Sequence, residues 1–149
     1  DMSTNSPKLD EVIYFLMDKA LRASRKHSIK VFKENDLDIS LDQWVVMRRI
    51  YEEKSQTQIE LALATYKDAA SITRILHLLH NKNMVRRIPN ETDRRKSCLI
   101  LTKKGGDTIN SAYAVVAQLR AEGLEGISNE ELQVAKRVMN KIAQNMKTT

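Results

Sequence analysis

Apolar residues recur at intervals of three and four along most of the chain. Leu9, Val12, Ile13, Leu16, Ala20 and Ala23, continued by His27, trace one stripe, which predicts a long amphipathic helix ending near Glu34, where Asn35-Asp36 stops it. Ser40 is placed to cap a second helix whose apolar positions are Leu41, Trp44, Met47, Ile50 and Tyr51. Ser55-Gln56-Thr57 interrupts the pattern. Thr57 and Glu60 then stand at capping-box spacing and open a short third helix through Gln58, Ile59, Leu61, Ala62 and Leu63. After a turn at Thr65-Tyr66-Lys67, Asp68 caps a fourth helix, with Ile72, Ile75, Leu76 and Leu79 on one face and Ala70, Arg74, His77 and Asn81 on the other.

The period then changes. Met84-Val85-Arg86-Arg87-Ile88 and Ser97-Cys98-Leu99-Ile100-Leu101 have strand character, and the polar stretch from Pro89 to Lys96 joins them, so a hairpin with a basic tip is expected. Thr102 caps a long fifth helix with Ile109, Ala112, Val116 and Leu119 inward, ending near Gly123 or Gly126. Ser128 and Glu131 form another capping box, ahead of a last helix through Leu132, Ala135, Val138, Ile142 and Met146. Residues 1–6 and 147–149 carry no periodic pattern. The fold class expected is mainly α with a small β-hairpin wing: a winged helix-turn-helix over residues 40–102, wing 84–101, flanked by helical segments 8–35 and 103–147 in a single domain of 149 residues. Those flanking helices each have one apolar stripe and little of this small chain to cover it. Pairing with a second copy would bury them.

Charge sharpens the reading. Nine Lys or Arg residues lie between Arg74 and Lys104 against only Glu91 and Asp93, a local balance of +7 in a chain whose total is +6. Cationic charge gathered in a helix-turn-helix and its hairpin marks a surface for a polyanion. The remaining composition excludes more than it suggests. No apolar run is long enough to cross a bilayer, and with one cysteine, Cys98, there is neither a disulfide framework nor a Cys-rich zinc cluster, so a cytoplasmic protein is expected. No glycine-rich phosphate loop, Gly-x-Ser-x-Gly elbow or His-Glu-x-x-His pair occurs, and an enzyme is not expected. His77 and His80 lie three apart without an acidic or cysteine ligand nearby, and no metal or other cofactor is expected.

Asp93-Arg94-Arg95, followed by Leu99, Leu101-Thr102 and Gly105, resembles the wing and following helix start of the MarR family of winged-helix transcription regulators. Gln43-Trp44, Ile72-Thr73-Arg74 and Met84-Val85-Arg86-Arg87 extend the resemblance over roughly Leu9 to Lys147. Where the family has a glycine before the first wing strand, this chain has Asn83, which tolerates left-handed backbone better than most residues. The resemblance implies an obligate homodimer interlocked by its first, fifth and sixth helices, a double-stranded DNA partner, a recognition helix in the major groove and a wing in the minor groove. By the same carry-over, Ser71, Thr73 and Arg74 face bases or phosphates, Arg94 and Arg95 sit at the wing, and Asp68 pairs with Arg95 to lock wing to helix, with Asp93 supporting the tip. It also implies repression relieved by a small-molecule effector whose identity the sequence does not give.

These roles suit the residues. Slim side chains at Ala70, Ser71 and Thr73 permit close approach to a base edge, while Arg74 can reach guanine or phosphate. Arg94 and Arg95 suit a narrow minor groove, and Lys96 suits phosphate. Two alternatives stand beside this reading: a winged helix that grips an acidic protein, and an oxidant sensor using Cys98, which strand alternation places beside the wing surface with Leu99 and Leu101 inward.

Overall fold

Most helix starts fall on the residues that can cap them. In the computed structural model, which describes residues 5–54 and 56–148, the elements are a single 3-10 turn (Leu9–Glu11), α1 (Ile13–Glu34), α2 (Leu41–Glu52), α3 (Gln58–Thr65), α4 (Ala69–Asn81), β1 (Val85–Pro89), β2 (Ser97–Leu101), α5 (Lys103–Gly123) and α6 (Asn129–Asn145). What was expected of residues 1–4, Ser55 and Thr149 lies outside the described residues. Ser40 with Gln43 and Ser128 with Glu131 form reciprocal capping boxes at the starts of α2 and α6. Thr57 gives only half of the expected box. Its Oγ1 accepts from the Glu60 N–H but donates to the Glu60 carboxylate, so that carboxylate does not reach back to the main chain. The first helix also starts later than its stripe suggests. Glu11 folds back on the Lys8 N–H, closing one tight turn, and Val12 is extended before α1 begins.

Three helices stop in the same way, none with glycine. After α1, Leu37 N–H donates to Phe32 O (2.9 Å) and Asp36 N–H to Lys33 O (3.1 Å); after α4, Met84 N–H donates to Leu79 O and Asn83 N–H to His80 O (both 2.9 Å). After α3, Lys67 N–H reaches Ala62 O at 3.1 Å. Each is a Schellman turn, and the residue at its left-handed position is Asp36 (φ 55°), Asn83 (φ 58°) or Tyr66 (φ 56°). Asn83 thus does what a glycine does elsewhere.

The described residues fall into two compact units that part between Ala117 and Gln118, within α5. In the first, α2 packs on α3, α4 and β2, α4 packs on β1, and α1 lies against α2. Val46, Met47, Leu61, Ile72, Leu76 and Leu79 fill the centre of this bundle. The hairpin closes its side, with Val85 paired to Leu101 and Pro89 to Ser97 in an antiparallel register. Its first strand begins one residue later than expected because Met84 belongs to the Schellman turn. In the second unit the apolar stripe of α6 is largely open among the described residues: Leu132 and Ile142 are half-buried, while Val138, Met139 and Met146 are exposed.

The turn from α4 to β1 is fastened to the start of α5 by three successive carbonyls. Lys82 O accepts from Lys104 Nζ (2.8 Å), Asn83 O from Thr102 Oγ1 (2.6 Å), and Met84 O from the Thr102 N–H (3.0 Å). Thr102 Oγ1 meanwhile accepts from the Gly105 N–H at 3.0 Å, capping α5 as expected. Gly105 lies so close to Met84 that a Cβ would fall inside the radius of the Met84 carbonyl. No helix among the described residues is long and apolar enough to cross a membrane.

Candidate nucleic-acid interface

Asp68 caps α4 with both carboxylate oxygens: Oδ1 accepts from the Ser71 N–H (2.7 Å) and Oδ2 from the Ser71 hydroxyl (3.1 Å). Those bonds, backbone first, hold its carboxyl below the usual aspartate range, with Arg74 adding a weaker charge effect. The implied lock between Asp68 and Arg95 is therefore not made. Arg95 is taken instead by Asp93 two residues earlier, with Nε to Oδ1 at 3.1 Å and Nη2 to Oδ2 at 3.3 Å. A partner inside the same tight turn is within reach whatever the helix does, and Asp68 already has its bonds.

The wing tip is organised by a residue that sequence reasoning passed over. Asn90 Oδ1 accepts from Thr92 N–H (2.9 Å), Thr92 Oγ1 (2.7 Å) and Asp93 N–H (3.1 Å), and its own N–H donates to Lys96 O (2.9 Å). An asparagine straight after Pro89 is an Asx-turn signal, and it was there to be read. Asn90 Nδ2 also donates to Cys98 Sγ at 3.1 Å. Cys98 is 1% exposed, against the expectation of a thiol beside the wing surface. Alternation fails because β2 is covered on both sides: α2 and α3 pack on it, and its Leu99 N–H donates to Gln56 O at 2.9 Å, drawing the chain before α3 along its outer edge. Leu99 is buried as well, whereas Leu101 is half-buried.

On α4 the expected inner face holds, with Ile72, Ile75, Leu76 and Leu79 buried. On the outer face the hydroxyl of Ser71 belongs to the cap, and that of Thr73 donates to Ala69 O (2.8 Å) while accepting from Gln58 Nε2 (2.9 Å). Arg74 is exposed. His77 and Asn81 bond each other at 3.2 Å, and no cluster of three or more metal-ligating side chains occurs among the described residues.

The nine clustered cations divide by partner. Lys82 donates to Asp38 O (2.7 Å) and Gln43 Oε1 (3.2 Å), Lys104 to Lys82 O, Arg87 to Gln58, Lys103 pairs with Asp107 and Arg95 with Asp93. Arg74, Arg86, Arg94 and Lys96 are exposed, and none has an ion pair or a side-chain hydrogen bond among the described residues. They sit on α4, β1 and the wing tip. A groove of about 490 Å³ runs between α4 and β1, walled by Thr73, His77, His80, Arg86 and Arg87; a second, of about 450 Å³, lies between the start of α3 and the wing and is walled by Thr57, Gln58, Arg87 and Lys96. Four exposed cations with no ion pair among the described residues, two of which (Arg86 and Lys96) wall these grooves, form a surface suited to anions.

Residues 39–97 match the model of the MarR family. Among solved structures, the chain is similar to a mutant of MarR from E. coli complexed with operator DNA, at 24% identity over 92% of this chain and 99% of that one, with a TM-score of 0.79. It is also similar to S. aureus MepR in a DNA complex (17% identity, 91% and 98% covered, TM-score 0.80). A third likeness is to the PcaV transcriptional regulator from Streptomyces coelicolor in complex with its natural ligand (16% identity, 97% and 100% covered, TM-score 0.79). At these identities the likeness is one of fold, and it extends over helices and hairpin alike.

Proposed function

Through residues 39–97 the chain belongs to the MarR family, and on that premise we propose that it is a homodimeric, sequence-specific DNA-binding regulator of transcription that acts as a ligand-responsive repressor. The observation that carries this reading is the set of unpaired cations on α4, β1 and the wing: Arg74, Arg86, Arg94 and Lys96. Arg74 projects from the recognition helix toward the major groove, Arg94 enters the minor groove from the wing tip, and Arg86 and Lys96 hold phosphates. Asp68 and Ser71 serve by fixing where α4 begins, and Asp93 by setting Arg95. A ligand acts by favouring a spacing of the two modules that no longer matches successive turns of the duplex, so the DNA is released. The oxidant-sensing alternative loses its premise with the thiol of Cys98 buried.

A salt titration tests the proposal. A dimer brings two copies of each cation, so affinity for a short duplex is expected to fall about a thousandfold or more between about 50 and 200 mM salt. Arg94→Ala and Arg74→Ala are each expected to flatten the plot of log affinity against log salt, measured by fluorescence anisotropy, with the dimer intact. A salt-independent affinity, or one unchanged by both substitutions, defeats the assignment.

A further inference from the structure

Gln58 stands in the first turn of α3, where one side chain reaches both the recognition helix and the wing. Its Oε1 accepts from Nη2 of Arg87 on β1 at 2.6 Å, and its Nε2 donates to Oγ1 of Thr73 on α4 at 2.9 Å. The amide has one orientation that works. Turned over, it would set its NH2 against a guanidinium and its oxygen against a hydroxyl whose proton is already committed to Ala69 O. The main chain is tied at the same place, since Gln56 O accepts from the Leu99 N–H of β2.

The consequence falls on Thr73. Its only proton goes to Ala69 and one lone pair goes to Gln58, so it has no donor for the acceptor edge of guanine. What it keeps for a base is one acceptor lone pair and its methyl group, the natural neighbour of a thymine C5-methyl. Arg87, held by one nitrogen, keeps the rest of its guanidinium for the duplex.

We propose that Gln58 is a positioning residue for sequence discrimination, which registers the recognition helix against the wing by holding Thr73 and Arg87 at once. The inference rests on the DNA-binding reading above and deepens it. Arg74, Arg86, Arg94 and Lys96 have no bond to Gln58, so attraction to DNA as a polyanion does not depend on it. Discrimination does.

The test begins with duplexes enriched from a randomised library by the full-length dimer. For each variant, affinity is then measured for the enriched duplex and for a shuffled duplex of the same composition. Gln58→Ala, and Gln58→Met, which keeps the bulk and loses both hydrogen bonds, are expected to lower the ratio of the two affinities about tenfold, the scale of one lost base contact. Affinity for the shuffled duplex is expected to change far less than affinity for the enriched one, and dimerisation is expected to stay as it was. Gln58→Glu keeps an acceptor for Arg87 but has no donor for Thr73, and its ratio is expected to fall between those of wild type and Gln58→Ala. A purely structural role would weaken both duplexes together, and that outcome, or an unchanged ratio in the Ala and Met variants, overturns the proposal. If the wild-type dimer enriches no sequence, the DNA-binding reading itself fails; if it does and the variants discriminate equally well, only the role of Gln58 fails.

Discussion

Asp93 shows how much one carboxylate can organise at the tip of a hairpin. The side chain of Arg95, and after it the Arg95 backbone N–H, hold its carboxyl below the ordinary value of 3.8. A carboxylate whose folded pKa lies below its unfolded one stabilises the fold at every pH above the ordinary range and gives that up as pH falls through the ordinary value and on through the lowered one. The turn from Asn90 to Lys96 is therefore expected to hold at neutral pH and to loosen only in acid below about pH 4. Asp93→Asn should loosen it at neutral pH and abolish the acid step. Protection of the Arg95 amide, followed by NMR hydrogen exchange, separates this site from Asp68, whose cap on Ser71 is lost in the same direction.

Between elements, the join of hairpin to α5 leaves no room for a side chain at Gly105. Gly105→Ala would drive a methyl group into the Met84 carbonyl and is expected to cost about 1–3 kcal/mol in urea denaturation. The adjacent Gly106→Ala meets nothing within 4 Å and is expected to be neutral or stabilising, by up to about 1 kcal/mol. Helices and caps at this scale were legible in the sequence because period and cap residues are local signals. So was the basic wing. Two things were not. The burial of Cys98 goes with the packing of α2 and α3 on β2, which no pattern within the strand reveals. The outer face of α3 is the second: Ile59 (77% exposed) and Leu63 (72%) stand among the residues that trace this short helix, but of its eight residues only Leu61 is buried. The roles of Thr73 and Arg95 were blurred for a related reason, since each has a partner, Gln58 or Asp93, that spacing does not identify.

For the whole molecule, the stripes of α1 and α6 state what the single chain lacks. Ile13, Leu16 and Leu21 on α1 and Val134, Val138 and Met139 on α6 are exposed, and covering such a side chain is worth about 1.5–3 kcal/mol. Val138→Asp is expected to yield a monomer in sedimentation velocity, at micromolar protein, and to lose the enriched duplex while each chain keeps its helical signal. A dimer that survives the charge would remove α6 from the subunit contact. The fastening of Lys82, Asn83 and Met84 to Thr102 and Lys104 bears on motion within the first unit. Because the tail of α4 and the root of β1 hang from one bracket, a roll of the opening turn of α5 carries both with it in step; fingertip and palm have a common wrist.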